Sequence, residues 1–398
     1  MDNTARKITL HGMLLQIPYW FGCCAYYAFM VKTLVDYGWS GSAATAAITS
    51  MTVITVIAQP IYGYLCDNYI TEKKLSVIMM LLTAAVFFLL PFSLGSGSTV
   101  LVLINMGVFA LTGAQIVALM DAWIVGLKQE YPSINYGYIR GTSALAFSLS
   151  AQITGAMTLA FGHSVRFWVG SVSIVIAAFI AMSLRAARHS YEGSEEEQKS
   201  HRLTGIEAIK LVFSSTKYNW LLAISFFLYF SNASMMTMIQ LVIPSLGGTA
   251  AQIGTATAIM SGSEVPLMFL MAFIMKKTGF KKPLLFCSIA YVVRMCITAS
   301  VVTVEGMVYV QLLQGITYAI LIPLAMSYLS QILDERIRST AVTIYMAVIV
   351  SLGGILGNLI TSALLAAGYS AQTALIVFAF SSVIGMILTV FSIIRKVW

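Results

Sequence analysis

The sequence predicts an all-α polytopic membrane protein of twelve transmembrane helices in two six-helix bundles, and three observations lead there. Its 398 residues are 59% hydrophobic and only 10% charged, far from the roughly 45–50% apolar and 25% charged residues of soluble domains. Apolar runs of about twenty residues recur along the chain, each long enough for a helix to cross a hydrocarbon layer ~30 Å thick. Lys and Arg cluster in alternate loops, as they do in multi-spanning proteins. A transmembrane β-barrel is excluded, because its strands alternate in polarity over ~10 residues and these runs do not.

In chain order the expected spans are 12–35, 42–65, 75–94, 99–127, 140–162, 165–184, 217–246, 251–275, 283–303, 306–330, 338–367 and 371–394. The first is too long for a signal peptide and lacks a small-residue cleavage pattern. Near its outer end Lys32 and Asp36 stand one turn apart, a rim pair worth about a few tenths of a kcal/mol. The second span ends in the basic turn GYLCDNYITEKK, and GSGS separates the third from the fourth. The fourth holds Asp121, a polar turn follows, and the fifth opens with Arg140; Arg166 falls in the loop before the sixth. Residues 185–216 form the one long polar segment, SEEEQK followed by GIEAIKLVF. It reads as a cytoplasmic linker whose amphipathic part lies along the membrane surface or is a solvated loop. GGTA joins the seventh span to the eighth, which holds Glu264 and ends in MKKTGFKK; the ninth holds Arg294, and VEG leads to the tenth. The expected domains are therefore 1–184, a linker at 185–216, and 217–398.

Apart from Lys32, Arg140, Arg166 and Arg294, every Lys and Arg lies at a terminus or in a loop after an even-numbered span. That pattern puts both termini in the cytoplasm and the chain in the cytoplasmic membrane. It also accounts for the net charge of +8, so no nucleic-acid partner is implied; the lipid bilayer and a small-molecule substrate are the expected partners of a monomer. Cys23, Cys24, Cys66, Cys287 and Cys296 lie in apolar runs or at a cytoplasmic edge and make no disulfide framework. The four histidines show no metal-ligand spacing, so no metal and no cofactor are expected, with a proton as the coupling ion.

Asp121 and Glu264 are the acids that sit well inside spans. A charge at the bilayer centre costs about 2.5–3.5 kcal/mol on insertion scales, so each should meet a basic partner. Antiparallel fourth and fifth helices would bring Arg140 to the depth of Asp121. Counted inward at about 1.5 Å per residue, Glu264 and Arg294 both reach mid-depth, where an ion pair is expected that opens when the carboxylate takes a proton. Fastening of helices is the alternative for both pairs. Arg140, Ala144, Phe147 and Ala151 recur at i, i+4, i+7 and i+11, one helical face. A guanidinium there could bond sugar hydroxyls while Phe147 stacks on a pyranose, although ordinary packing also accounts for a phenylalanine. Asn232, Gln240, Gln311, Gln314, Tyr318 and Asn358 add uncharged polar groups; Asn232 and Gln240 are read as substrate contacts. Tyr19, Trp20, Tyr26 and Tyr27 line a cavity or act as packing and anchors.

The halves echo one another. GYLCDNYITEKK after the second span (Gly63, Asp67, Lys73, Lys74) and AFIMKKTGFKK after the eighth (Lys276, Gly279, Lys281, Lys282) recur at a shift of roughly two hundred residues, the sequence mark of a two-bundle transporter. The first turn resembles the loop motif of the major facilitator superfamily, with Asn68 where a basic residue is usual. More narrowly the chain resembles the lactose permease branch, the oligosaccharide:proton symporters. QPIYGYLCD in the second span, Asp121 and Arg140, Glu264, Arg294 and RSTAVTIY entering the eleventh match that pattern in order. The resemblance implies that Gly63, Asp67, Lys73 and Lys74 act as a gating loop, that Phe147 stands where the branch has a tryptophan, and that Asp121, Glu264 and Arg294 serve coupling. Aligned on Pro323, the branch's histidine and glutamate of the tenth span are replaced by Tyr318 and Leu321, so a coupling proton would have to use Glu264 or Asp121.

The expected function is proton-coupled uptake of a neutral polar solute such as an oligosaccharide by alternating access. Nucleoside uptake, export of a lipophilic compound, and facilitation without coupling stay open. An enzyme or receptor is not expected, since the sequence carries no nucleophile constellation at the membrane surface and no soluble catalytic or sensory domain.

Overall fold

A computed structural model describes residues 3–134, 136–186, 205–333 and 335–398, and every regular element among them is helical. The helices gather into two units, Met1–Ser190 with Ile243–Gly262, and Tyr191–Val242 with Ser263–Trp398.

In the first unit α1 (Asn3–Tyr27) and α2 (Met30–Asp36) form a span bent by 40°. After α3 (Gly41–Asn68) and α4 (Glu72–Gly95), α5 (Thr99–Leu111) passes through a 3-10 turn at Gly113–Gln115 into α6 (Ile116–Glu130), followed by α7 (Tyr136–Phe161) and α8 (His163–Ser183). The starts of α3, α4 and α5 are set by Ser40, Thr71 and Ser98, whose side-chain oxygens accept from the amides of Ala43, Lys74 and Leu101 and satisfy donors that a first turn leaves open. Gly162, at φ 80°, turns α7 into α8 in a single residue, a conformation open to glycine because it has no Cβ. The unit closes on α1, which packs on α7 and α8, while α8 packs on α4. Tyr26 stacks on Phe109 at a centroid distance of 3.9 Å, with Phe87 beside both.

The second unit holds α9 (Gly205–Ser214), α10 (Thr216–Ala233) and α11 (Met235–Ser245). Next come α12 (Ala250–Thr278), whose first turns belong to the first unit, and α13 (Lys281–Ser300). Then α14 (Val304–Tyr309) runs through a 3-10 turn at Val310–Gln314 to α15 (Tyr318–Ile332). The chain ends with α16 (Glu335–Met346), a π-helical turn at Ala347–Leu352, α17 (Gly353–Ala366) and α18 (Ala371–Ile394). α10 and α13 both pack on α18. The amphipathic stretch of the linker is α9, which buries Val212 against Tyr218, Leu329 and Tyr345 and leaves Ile209, Leu211 and Phe213 exposed; residues 187–204 lie outside the described set.

Among the described residues, ten helical stretches are long and apolar enough to cross a membrane, eleven with the bent α1–α2. The eighth expected span corresponds to α12, 29 residues long and roughly 43 Å at its helical rise. Its first half is polar, with Thr255, Thr257, Ser261, Ser263 and Glu264, and it is not among the ten. The first, fourth, seventh and tenth spans share one irregularity: each is broken between two helices. A break frees backbone groups where water is scarce, so polar side chains must take them up. Gln115 does so at the break before α6, donating from Nε2 to the carbonyls of Ala110 at 2.9 Å and Thr55 at 3.1 Å.

Candidate functional site

In the first unit Asp121 on α6 meets Arg140 on the second turn of α7, with Nη1 to Oδ2 at 3.4 Å and side chains 29% and 42% accessible. Two turns on, Phe147 is 9% exposed and lies edge to face with Trp20 of α1 at 5.5 Å. Trp20 also meets Tyr19 edge to face at 5.3 Å, and its Nε1 donates to Gln16 Oε1 at 2.9 Å. The aromatic corner is thus built by α1 and α7 together, with the indole more accessible than the phenyl ring. A carboxylate, a guanidinium and an amphipathic ring in one unit suit a polyhydroxylated solute.

The second unit departs from expectation. Glu264 and Arg294 form no ion pair within 4.0 Å. Arg294 is completely buried, and its Nη1 donates to Asn232 Oδ1 at 2.8 Å, to Thr317 Oγ1 at 3.2 Å and to Gln314 Oε1. Its Nη2 donates to Gln311 Oε1 at 3.2 Å. Four neutral acceptors therefore surround the cation, and Glu264 is reached one step further out: Gln314 Nε2 donates to Glu264 Oε1 at 2.9 Å. The sequence reading counted Gln314 among the uncharged polar groups without placing it between Arg294 and Glu264, because an amide in an apolar span has no charge to mark its partners.

Arg166 also departs from expectation. It belongs to α8 rather than to a loop and is fully buried. Its Nε donates to the Ala25 carbonyl at 3.2 Å, beside the α1–α2 break. Nη1 donates to Thr158 Oγ1 at 3.1 Å and His163 Nδ1 at 2.8 Å, and Nη2 to Thr33 Oγ1. Because Arg can only donate, His163 Nδ1 must accept and its proton sits on Nε2, which faces Asp36 Oδ2 at 2.8 Å. Asp36 also pairs with Lys32, so the expected rim pair is the outer end of a four-residue network. One signal was legible: Arg166 is an arginine on the side of the membrane whose loops are otherwise almost free of basic residues.

Other expected residues are spread out. Lys73 donates to the Met182 carbonyl in the last turn of α8 at 2.8 Å, within its own unit; Lys74 is exposed, and a Cβ at Gly63 would meet open space. The Asp67 side chain lies outside the described residues. Gln240 is buried on α11 with Nε2 bonded to the Met236 carbonyl at 3.0 Å. Tyr318 opens α15 with its ring 5.7 Å from that of Tyr229, and Leu321 is core.

The family model described as the MFS_1 like family matches residues 22–379. The chain is 26% identical over 309 residues to a maltose permease of Geobacillus stearothermophilus, covering 78% of this chain and 75% of that protein. It is 22% identical over 310 residues to an uncharacterized transporter, YwbF, of Bacillus subtilis strain 168, covering 78% and 74%. Among solved structures, the nucleoside transporter NupG aligns over 98% of both chains with a TM-score of 0.76 at 13% identity, a likeness of fold alone.

Proposed function

Given that this chain belongs to the MFS_1 like family, and is thus a multi-pass membrane transporter and not an enzyme, we propose that it takes up a neutral polar solute, an oligosaccharide, together with a proton. The observation that carries the reading is Glu264: a carboxylate within α12, the eighth expected span, whose hydrogen-bond donor among the described residues is a neutral amide rather than a cation. Such a group can gain and lose a proton without breaking an ion pair, which suits a coupling site in a carrier that alternates between two states. Asp121, Arg140, Trp20 and Phe147 supply the hydrogen-bonding and stacking groups that a sugar needs. The sequence relative named for maltose supports a sugar over a nucleoside, because the nucleoside transporter resembles this chain in fold only. Both termini are cytoplasmic in this reading, the carrier works as a monomer, and net flux runs inward with the proton gradient.

The test is external pH in lightly buffered cells given disaccharides, trisaccharides and nucleosides in turn. Alkalinisation with maltose or another oligosaccharide, absent in Asp121→Asn, is the expected result. Alkalinisation with a nucleoside alone transfers the proposal to nucleosides. Equilibration of labelled solute with no pH change removes the proton and leaves a facilitator.

A further inference from the structure

Two fully buried arginines sit beside helix breaks, and each is linked to a carboxylate through one side chain, Arg166 to Asp36 through His163 and Arg294 to Glu264 through Gln314. Arg294 gathers acceptors from both breaks of the second unit: Asn232, next to last in α10, and Gln311, Gln314 and Thr317, which flank the break between α14 and α15. A guanidinium only donates, so Gln314 must turn its Oε1 to Arg294, which leaves Nε2–H for Glu264. One amide therefore holds a cation and an acid at its two ends. The closeness of Glu264 and Gln314 is set by the backbone. Their neighbours Ser263 and Gly315 pack so tightly that a Cβ on Gly315 would lie 2.4 Å from the Ser263 carbonyl oxygen.

We infer that Gln314 is the positioning residue through which the charge on Glu264 reaches Arg294 and the breaks of the seventh and tenth spans. The inference rests on the reading that Glu264 takes the coupling proton. An ionised Glu264 draws the Gln314 N–H into a charge-assisted bond, which polarises the amide and makes its oxygen a better acceptor for Arg294. A protonated Glu264 weakens both bonds together, and Arg294 then holds the two breaks less firmly. Among the described residues, the other titratable groups facing this pair are Tyr229 on α10 and Tyr291 on α13, with Tyr318 on α15 and Cys287 on α13 beside them. A Gln314 that merely satisfies a buried cation would leave Glu264 indifferent to its replacement.

The experiment uses the full chain in lipid nanodiscs and N,N′-dicyclohexylcarbodiimide, which modifies protonated carboxyl groups in apolar surroundings, with Glu264 followed by peptide mass spectrometry from pH 5.5 to 8.5. Gln314→Met is expected to speed modification of Glu264 at pH 7.5 by about three-fold or more, since a charge-assisted bond no longer holds the ionised form. Gln314→Asn keeps an amide but is too short to span both partners, and is expected to do the same; it serves if the methionine variant fails to fold. Amide hydrogen exchange at residues 230–236 and 312–318 should rise in Glu264→Gln and in Gln314→Met, with the double variant no higher than either alone. Unchanged modification in both Gln314 variants, or additive exchange in the double variant, overturns the relay. Modification of wild-type Glu264 that does not vary with pH instead overturns the underlying proton reading.

Discussion

Asp121→Asn separates a transport role for the Asp121–Arg140 pair from a fastening role, because the two predict opposite changes. At 3.4 Å, with side chains 29% and 42% accessible, the pair resembles accessible ion pairs that contribute about 0.2–1 kcal/mol. The isosteric amide should therefore cost roughly 1 kcal/mol of stability or less. A hydrogen bond from a solute hydroxyl to a charged acceptor contributes about 1.5–3 kcal/mol. Its loss should slow uptake at low solute concentration by roughly 10- to 150-fold, at 1.4 kcal/mol per factor of ten. The assay is the initial rate of labelled maltose uptake, with surface abundance and thermal stability in detergent measured on the same variant. Uptake near the wild-type rate refutes the role of Asp121 in the site. A collapse of abundance and stability refutes the accessible-pair estimate, and restoration of uptake by the exchange Asp121→Arg with Arg140→Asp shows a fastener.

Three further outcomes are expected. Glu264→Gln should retain downhill counterflow of solute in proteoliposomes while losing accumulation driven by a pH gradient; accumulation at the wild-type level moves the coupling role elsewhere. Gly254→Ala puts a Cβ 2.4 Å from the Ala151 carbonyl oxygen and 3.0 Å from Gly155 Cα, so α7 and the first turns of α12 must separate, at about 1–3 kcal/mol; an unchanged melting temperature speaks against that contact. Arg166→Met removes the donors to Ala25, Thr33, Thr158 and His163, leaving buried acceptors unsatisfied, and should cost about 1–3 kcal/mol, read as early thermal unfolding. A variant as stable as wild type would mean that the α1–α2 break does not need this arginine.

Much of the fold was legible because membrane insertion depends on local composition. Length and apolarity of each run mark a span, and basic residues mark its loops; the transporter family and helical architecture follow from those patterns in order along the chain. Asp121 and Arg140 were legible as partners for the same reason, since an acid in an apolar run is conspicuous and Arg140 opens the next apolar run across a single turn. The amphipathic linker segment showed its helical periodicity but not the face it covers, because that depends on what lies opposite.

Partners that belong to distant segments were decided by the tertiary structure. Glu264 and Arg294 share a depth, which spacing along the chain conveys, but depth leaves open which groups lie between them, and Gln314 does. Arg166 sits among Ala25, Thr33 and Thr158, far from it in sequence or on other helices. Its burial follows from carbonyls and hydroxyls gathered at the α1–α2 break, and none of these is distinctive in a linear reading. By itself the sequence determined which stretches are long and apolar enough to span, apart from the polar eighth, and which residues are charged within them, since both depend on residue type and its near neighbours. Only the packing decided which neutral amides and hydroxyls surround each charge, because a hydrogen bond needs a position and a direction that arise from several helices at once.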